Sequence, residues 1–424
     1  MPDNRNTHKN SNIEIHQNPY PEWYRFVIEV ILFLTYVVFG MTFAAAGSFL
    51  KDIMKELSLT LSQASFLNTS VTFAKVFGPT LAAFIAAKLG LKKAFLLAST
   101  LICLGIFAPL APDYPMLLLA RFGMGIGGAL VIVYFTPITM QWFSKEERIF
   151  VNGINFVSIS VGMMLGFFIT DPLINALGGS WKKALIIYSS ISIFLAIMWL
   201  IFGKEKDGKN IPAQKTGNPS CISGYIDALK DKNTWKITFA YAGTLCHYMT
   251  FITYFPTFYK NSPFFATDSW VLKAPAIVML SGIPAVLTGI MLLKMFKLRI
   301  PIIRLAGCIL VPAAMGMFLF KGEASILICA VLTGFGMFLW RSPFFTIPQE
   351  LPGATPEKAG YMMSIFWAVS YTAATIAVWS VGRLTEITGT FIPGFILVSI
   401  LAGSLLVGSF IIPETGQSRI KKNS

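Results

Sequence analysis

A chain of 424 residues that is 55% hydrophobic and 13% charged cannot hide its apolar surface as a water-soluble globule, whose charged fraction runs near a quarter. Its formal net charge of +14 would point to nucleic acid on a soluble protein, but on a chain this apolar the charges serve first as a topology signal. Cys103, Cys221, Cys246, Cys308 and Cys329 show neither metal-ligand nor disulfide spacing, which excludes a cysteine scaffold.

Residues 1–24 are polar and lack the apolar core and small-residue cleavage site of a signal peptide, so they read as a cytoplasmic tail. Apolar runs then follow at 25–47, 62–86, 93–111, 114–140, 148–170, 182–202, 235–259, 270–294, 301–320, 324–347, 358–380 and 391–412. Each is close to the roughly 20 residues a membrane-spanning helix needs. Backbone groups in lipid must be satisfied within the segment, so the runs are expected to be helices. The expected fold is an all-α polytopic membrane protein of twelve transmembrane helices. Residues 203–234, rich in Lys, Gly, Asn and Pro, form a cytoplasmic linker between an N-terminal six-helix half (25–202) and a C-terminal one (235–412), with a cytoplasmic tail at 413–424. Ile222, Tyr225, Ile226 and Leu229 share one helical face in the linker, which predicts a short amphipathic helix on the membrane surface.

With both ends cytoplasmic, Lys88, Lys92, Lys93, Lys204, Lys206, Lys209, Lys215, Lys294, Lys297, Arg299 and Arg304 all fall inside. The external loops keep scattered cations such as Lys51, Lys55, Lys182 and Lys183. This bias follows the positive-inside rule, and an odd number of spans would spoil it. Trp23, Trp142, Trp181, Trp235 and Trp270 near span edges fit an interfacial belt.

The two halves carry related segments. Phe122-Gly123-Met124 in span 4 recurs as Phe335-Gly336-Met337 in span 10, and Pro137 with Ser144-Lys145-Glu146 recurs as Pro348 with Thr355-Pro356-Glu357. Related halves are a transporter architecture with the substrate site at their interface. The loop Ala83-Phe84-Ile85-Ala86-Ala87-Lys88-Leu89-Gly90-Leu91-Lys92-Lys93, the Arg121-x-x-x-Gly125-x-Gly127 segment and the stretch Trp142-Phe143-Ser144-Lys145-Glu146-Glu147-Arg148 lie after span 2, in span 4 and after span 4. Together these resemble the signatures of the major facilitator superfamily over nearly the whole chain. The resemblance implies the two-half major facilitator fold, and it assigns Lys88, Gly90, Lys92 and Lys93 to a gating motif. Ala83 and Ala87 replace that motif's first Gly and its Asp, which in the family helps to latch the cytoplasmic side. Gly153, Gly162 and Gly166 match its glycine-rich fifth helix without the usual Gly-Pro pair.

A charge inside the bilayer costs about 2.5–3.5 kcal/mol and marks function by default. Lys75, mid-span in span 2 with Thr72 and Asn68 on its face, is read as a cation for an anionic substrate, against a structural ion pair. Arg341 in span 10 can clamp an oxyanion with two parallel hydrogen bonds, and Pro343 is expected to break the helix beside it. Arg121 matches the family motif, with snorkelling to the outer surface as the alternative. Glu29 and His247 are the candidate proton carriers. An i,i+4 pair with Arg25 offers a structural reading of Glu29, and a helix contact one of His247. Tyr36, Asn155, Ser158, Tyr241, Tyr248, Trp367 and Tyr371 lie on spans 1, 5, 7 and 11, which line the central path in the superfamily.

There is no Gly-Lys-Ser/Thr phosphate loop, His-Glu-x-x-His helix or nucleophile elbow, so neither ATP drive nor an enzyme is expected. The expected function is secondary transport of a small solute, an organic anion such as a carboxylate, by proton symport or exchange. A multidrug or metabolite exporter and a non-transporting sensor remain alternatives. The chain is read as a monomer of a bacterial inner (plasma) membrane. Its expected partners are the bilayer, a small-molecule substrate and a coupling proton, with no nucleic acid, metal or cofactor.

Overall fold

The computed structural model describes residues 20–111, 113–205, 219–262, 265, 269–354 and 356–416. The expectations for the N-terminal tail to residue 19, for linker residues 206–218, for Thr355 and for 417–424 lie outside them, as do those for the side chains of Cys221 and Ile222.

The elements in chain order are α1 (Tyr24–Ser48), α2 (Leu50–Leu57), α3 (Leu61–Leu89), α4 (Leu91–Cys103), α5 (Tyr114–Trp142), α6 (Lys145–Ala176), α7 (Trp181–Phe202) and α8 (Pro219–Lys230). There follow α9 (Lys232–Lys260), α10 (Ala274–Phe296), α11 (Ile300–Leu319), α12 (Glu323–Phe338), α13 (Arg341–Glu350), α14 (Pro356–Thr388), α15 (Ile392–Ala402) and α16 (Ser404–Ile411). A 3-10 turn, Leu104–Phe107, prolongs α4, and another, Trp270–Lys273, leads into α10. The helix starts are chemically marked. Thr60 with Gln63 and Ser144 with Glu147 form capping boxes, and Asp113, Ser180 and Asp231 cap α5, α7 and α9. The amphipathic helix expected in the linker is α8, with Tyr225, Ile226 and Leu229 exposed and Gly224 against the Tyr361 ring.

Among the described residues, nine helical segments are long and apolar enough to cross a membrane. The arrangement is consistent with the expected twelve; the expected span at 62–86 includes residues outside the described side chains, and those at 93–111 and 235–259 fall short for identifiable reasons. The α4 helix is 13 residues long before its 3-10 turn, and α9 is rich in Thr and Tyr with Lys at both ends; α3 also carries Asn68, Thr69, Thr72 and Lys75. Those polar residues of α3 are buried, as are Tyr241 and Tyr248 of α9, so protein rather than lipid receives them. The span expected at 324–347 is broken at Leu339–Trp340, and the one at 391–412 at Gly403.

Small residues set the helix spacing. A Cβ on Gly123 of α5 would lie 2.6 Å from the Leu104 side chain, and one on Gly336 of α12 would lie 2.7 Å from Leu310 Cα in α11. The repeated Phe-Gly-Met segments thus mark the same fourth-on-third helix contact in each half. The α1–α6 contact is equally close, because a Cβ on Gly162 would run into the Val37 carbonyl.

Six helices join the halves through the contacts of α3 with α14, α6 with α10, and α1 with α9. Several hydrogen bonds cross between them toward the face opposite the termini. Asn68 Nδ2 donates to Thr253 Oγ1 at 3.3 Å, Thr257 Oγ1 to Gly47 O at 3.4 Å, and Ser62 N to Glu386 Oε1 at 2.7 Å. Lys260 Nζ donates to Asp171 Oδ1 at 2.7 Å and to Ser48 O at 2.9 Å.

Candidate functional site

The α3 helix carries Lys75 to the interface of the halves, where it is 6% exposed. Its Nζ lies 5.2 Å from the ring centroids of Phe39 and Phe43 on α1 and 5.8 Å from that of Tyr371 on α14. Arg341 opens α13, directly after the break at Leu339–Trp340. Its Cζ lies 4.0 Å from the Phe338 ring centroid and 5.3 Å from that of Tyr248. The break falls just before Arg341 rather than after Pro343. Pro343 stands as the third residue of α13 and lacks the N–H that would bind the Leu339 carbonyl. Lys75 and Arg341 feel each other's charge, and among the described residues neither has a carboxylate within ion-pair distance.

Rings line the space between them. Tyr36 stacks on Phe39 at 5.4 Å, and Trp367 stacks on Tyr371 at 5.4 Å. Tyr241 meets Trp367 edge-on at 5.4 Å. A small hollow is lined by Tyr241, Thr244, Leu245, Tyr248, Met337, Trp340 and Arg341. Tyr248 donates to Met163 Sδ at 3.1 Å, so α9 meets α6 here. Of the residues singled out from sequence, the structure therefore gathers Lys75, Arg341, Tyr36, Tyr241, Tyr248, Trp367 and Tyr371. Sequence reasoning missed Phe39, Phe43 and Phe338. The first two were legible as a stripe with Tyr36, at i+3 and i+7.

The remaining candidates lie elsewhere. Arg121 is 2% exposed and does not snorkel. Its Nε donates to Leu67 O at 3.2 Å, one terminal nitrogen to Thr42 O at 3.1 Å and the other to Asn68 Oδ1 at 3.0 Å. Each of its three nitrogens is thus engaged by α1 or α3. The hollow beside it, about 200 Å³, is walled by apolar residues such as Phe49, Leu67 and Trp181. Glu29 does not pair with Arg25. Arg25 bonds instead to Glu147 at 3.0 Å, because Glu147 is fixed by its capping box at the start of α6. Both Glu29 carboxylate oxygens are buried without a hydrogen-bond partner, and Asn155, itself wholly buried and unpaired, is the side chain beside them. Ser158 donates to the Asn155 carbonyl at 2.5 Å. His247 is 1% exposed with both ring nitrogens unpaired. It precedes Tyr248 by one residue and so is turned about 100° around α9 from the cavity-lining face.

In the loop after α3, Gly90 ends the helix at φ 78°. The Glu205 carboxylate occupies the space a side chain there would need, and it accepts from Lys92 N at 2.9 Å. Trp199 Nε1 donates to Lys92 O at 3.0 Å, so this loop is tied to the end of the first half.

Residues 32–378 match the major facilitator superfamily. The chain belongs to this family. As a major facilitator protein it is an integral membrane transporter of small solutes and not an enzyme. An uncharacterized protein of Campylobacter jejuni is 34% identical over 244 residues, covering 58% of this chain and 74% of its own. A hexuronate transporter of Bacillus subtilis is 23% identical over 410 residues, covering 92% and 95%. Among solved structures, the inward open conformation of an Escherichia coli xylose transporter shares the fold. Its TM-score is 0.71 at 14% identity, with 92% of this chain and 97% of that chain covered.

Proposed function

We propose that the chain is a secondary active transporter that carries a small organic anion, a carboxylate, by alternating access, with Lys75 and Arg341 as its anion-binding cations. One observation carries this reading. A cation from each half, Lys75 buried and Arg341 partly buried, faces the shared aromatic space without a carboxylate partner among the described residues. An unpaired charge in a low-dielectric interior is costly, and an incoming carboxylate supplies the missing partner. The Arg341 fork takes a carboxylate with two parallel bonds, while Lys75 acts as a point charge. Tyr36, Tyr248, Trp367 and Tyr371 form the walls. An anion touching both halves favours the state closed over it, to the extent that it binds that state more tightly. The full-length likeness to a hexuronate transporter supports the anion reading, since a hexuronate carries a carboxylate.

The membrane potential opposes anion entry by about 2.3 kcal/mol per charge per 100 mV. Import therefore requires a co-transported cation or exchange. We assign the proton to Glu29, whose carboxylate is buried beside the Asn155 amide with no cation engaging it, and we keep His247 as the second carrier. The positive-inside bias supports a cytoplasmic location for the face bearing the termini, and we read the membrane as a bacterial inner one. Arg121 serves this scheme as a positioning residue for α3 rather than as a ligand.

The test is carboxylate uptake into proteoliposomes with Lys75→Gln and Arg341→Gln measured separately. A loss of affinity of tenfold or more in each is expected, and unchanged affinity in both would overturn the assignment.

A further inference from the structure

The charge balance of this site carries the reading one step further. The charged group in electrostatic range of Lys75 is Arg341, another cation. Tyr36, Tyr241, Tyr248 and Tyr371 are likewise within range of Arg341, and no carboxylate acts on any of them. The rings that hold the cations are neutral. Their faces attract a cation through the ring quadrupole but do not cancel its charge. Among the described residues the site therefore holds two positive charges and no negative one.

We propose that the substrate is a dianion, a dicarboxylate or an anion of equal charge, with one negative group for Lys75 and one for Arg341. This rests on the assignment of these two residues as the anion site. A bound monoanion leaves one positive charge uncompensated in a space walled by Tyr, Trp and Phe, where screening is weak. A dianion leaves none. The placement of the cations adds a geometric reason. Lys75 stands on α3 of the first half and Arg341 on α13 of the second, so a molecule with an anionic group at each end engages both halves at once. A monoanion satisfies one cation and leaves the other half without its partner. The phenols of Tyr36, Tyr241 and Tyr371 supply donors for the remaining carboxylate oxygens, and the ring faces match a flat or apolar spacer between the two groups.

The test compares matched ligands on the purified full-length chain in nanodiscs at pH 7.5, by isothermal titration calorimetry. Succinate is set against butyrate, which has the same four-carbon chain, and terephthalate against benzoate. At least tenfold tighter binding of the dianion is expected in each pair where binding is seen, and the comparison needs no variant. Lys75→Gln and Arg341→Gln, checked for a monodisperse gel-filtration peak, are each expected to bring the preference below threefold. Equal or tighter binding of the monoanions by the native chain overturns the dianion proposal and leaves the anion assignment standing. Saturable binding of none of the four overturns both. A dianion preference that survives in both variants also overturns the proposal, because the preference would then arise elsewhere.

Discussion

Lys260, at the end of α9, donates at 2.7 Å to Asp171 on α6 and at 2.9 Å to the Ser48 carbonyl at the end of α1. One ammonium thus ties three helices drawn from both halves at the face opposite the termini. The pair is about one-third exposed, and such pairs contribute about 0–1 kcal/mol. Lys260→Ala is expected to shift the balance toward opening at this face by up to about fivefold. A cysteine at Thr257, in a background freed of the native cysteines, should react correspondingly faster with an impermeant maleimide. Unchanged labelling would remove Lys260 from the seal.

Arg121 should behave as a structural tie. Arg121→Ala leaves Leu67 O, Thr42 O and Asn68 Oδ1 without their donor inside the protein. A loss of about 3–5 kcal/mol is expected, read as a large drop in Tm. Arg121→Lys should recover less than half, since an ammonium cannot reach three acceptors in a fork geometry. Substrate affinity of the folded lysine variant should stay within threefold of the native value.

Gly162→Val tests the closest helix contact in the first half. The new side chain meets the Val37 backbone, whose Cα lies 3.0 Å from the Cβ position. Overpacking of this kind costs about 1–3 kcal/mol, and loss of the monodisperse peak on gel filtration is expected. Gly322→Ala, at a position with Ser325 Oγ no nearer than 3.5 Å, should leave the peak unchanged.

The tie of α2 to α7 gives a pH signature. Glu56 accepts from Lys182 and from Trp181 Nε1, and the Lys182 hydrogen bond holds its carboxyl below the ordinary value of 4.5. A carboxyl depressed on folding adds stability that is complete above its unfolded pKa and fades as pH falls through the folded one. The Tm gap between native protein and Glu56→Gln should therefore be constant from pH 8 to about 5 and close in stronger acid. A gap that persists in strong acid would show that packing of Trp181, not the charge, links the helices.

Glu29→Gln separates coupling from binding. Uptake driven by a proton gradient should fall by tenfold or more, while anion exchange at equal pH should stay within threefold. Loss of both to the same degree would show that Glu29 supports the fold or the anion site instead of a proton.

The fold was legible because lipid imposes a crude rule on sequence. Runs near 20 apolar residues, a polar divider after Phe202 and cations on one side were enough to place the helices. Lys75 and Arg341 were legible for the converse reason, that a charge in such a run demands a partner. Partner identity was not legible. Arg25 passes over Glu29, one turn away, for Glu147, far along the chain, because a capping box had already fixed Glu147 in place. Arg121 bonds to backbone carbonyls, which every residue carries, so no side-chain pattern announced them. Phe39 and Phe43 read as ordinary apolar filler until the ammonium above them was placed.

The polarity of α9 bears on how the protein is made. A translocon sorts each nascent segment by its own hydropathy, before later helices exist to receive its polar face. The α9 helix, rich in threonine and tyrosine, falls short of a membrane-spanning hydropathy alone, and its contacts with α14, α15 and α16 come from chain synthesized afterwards. Ribosome-bound intermediates that stop soon after Lys260 should therefore leave this segment outside the bilayer, and translation of α14 should draw it in.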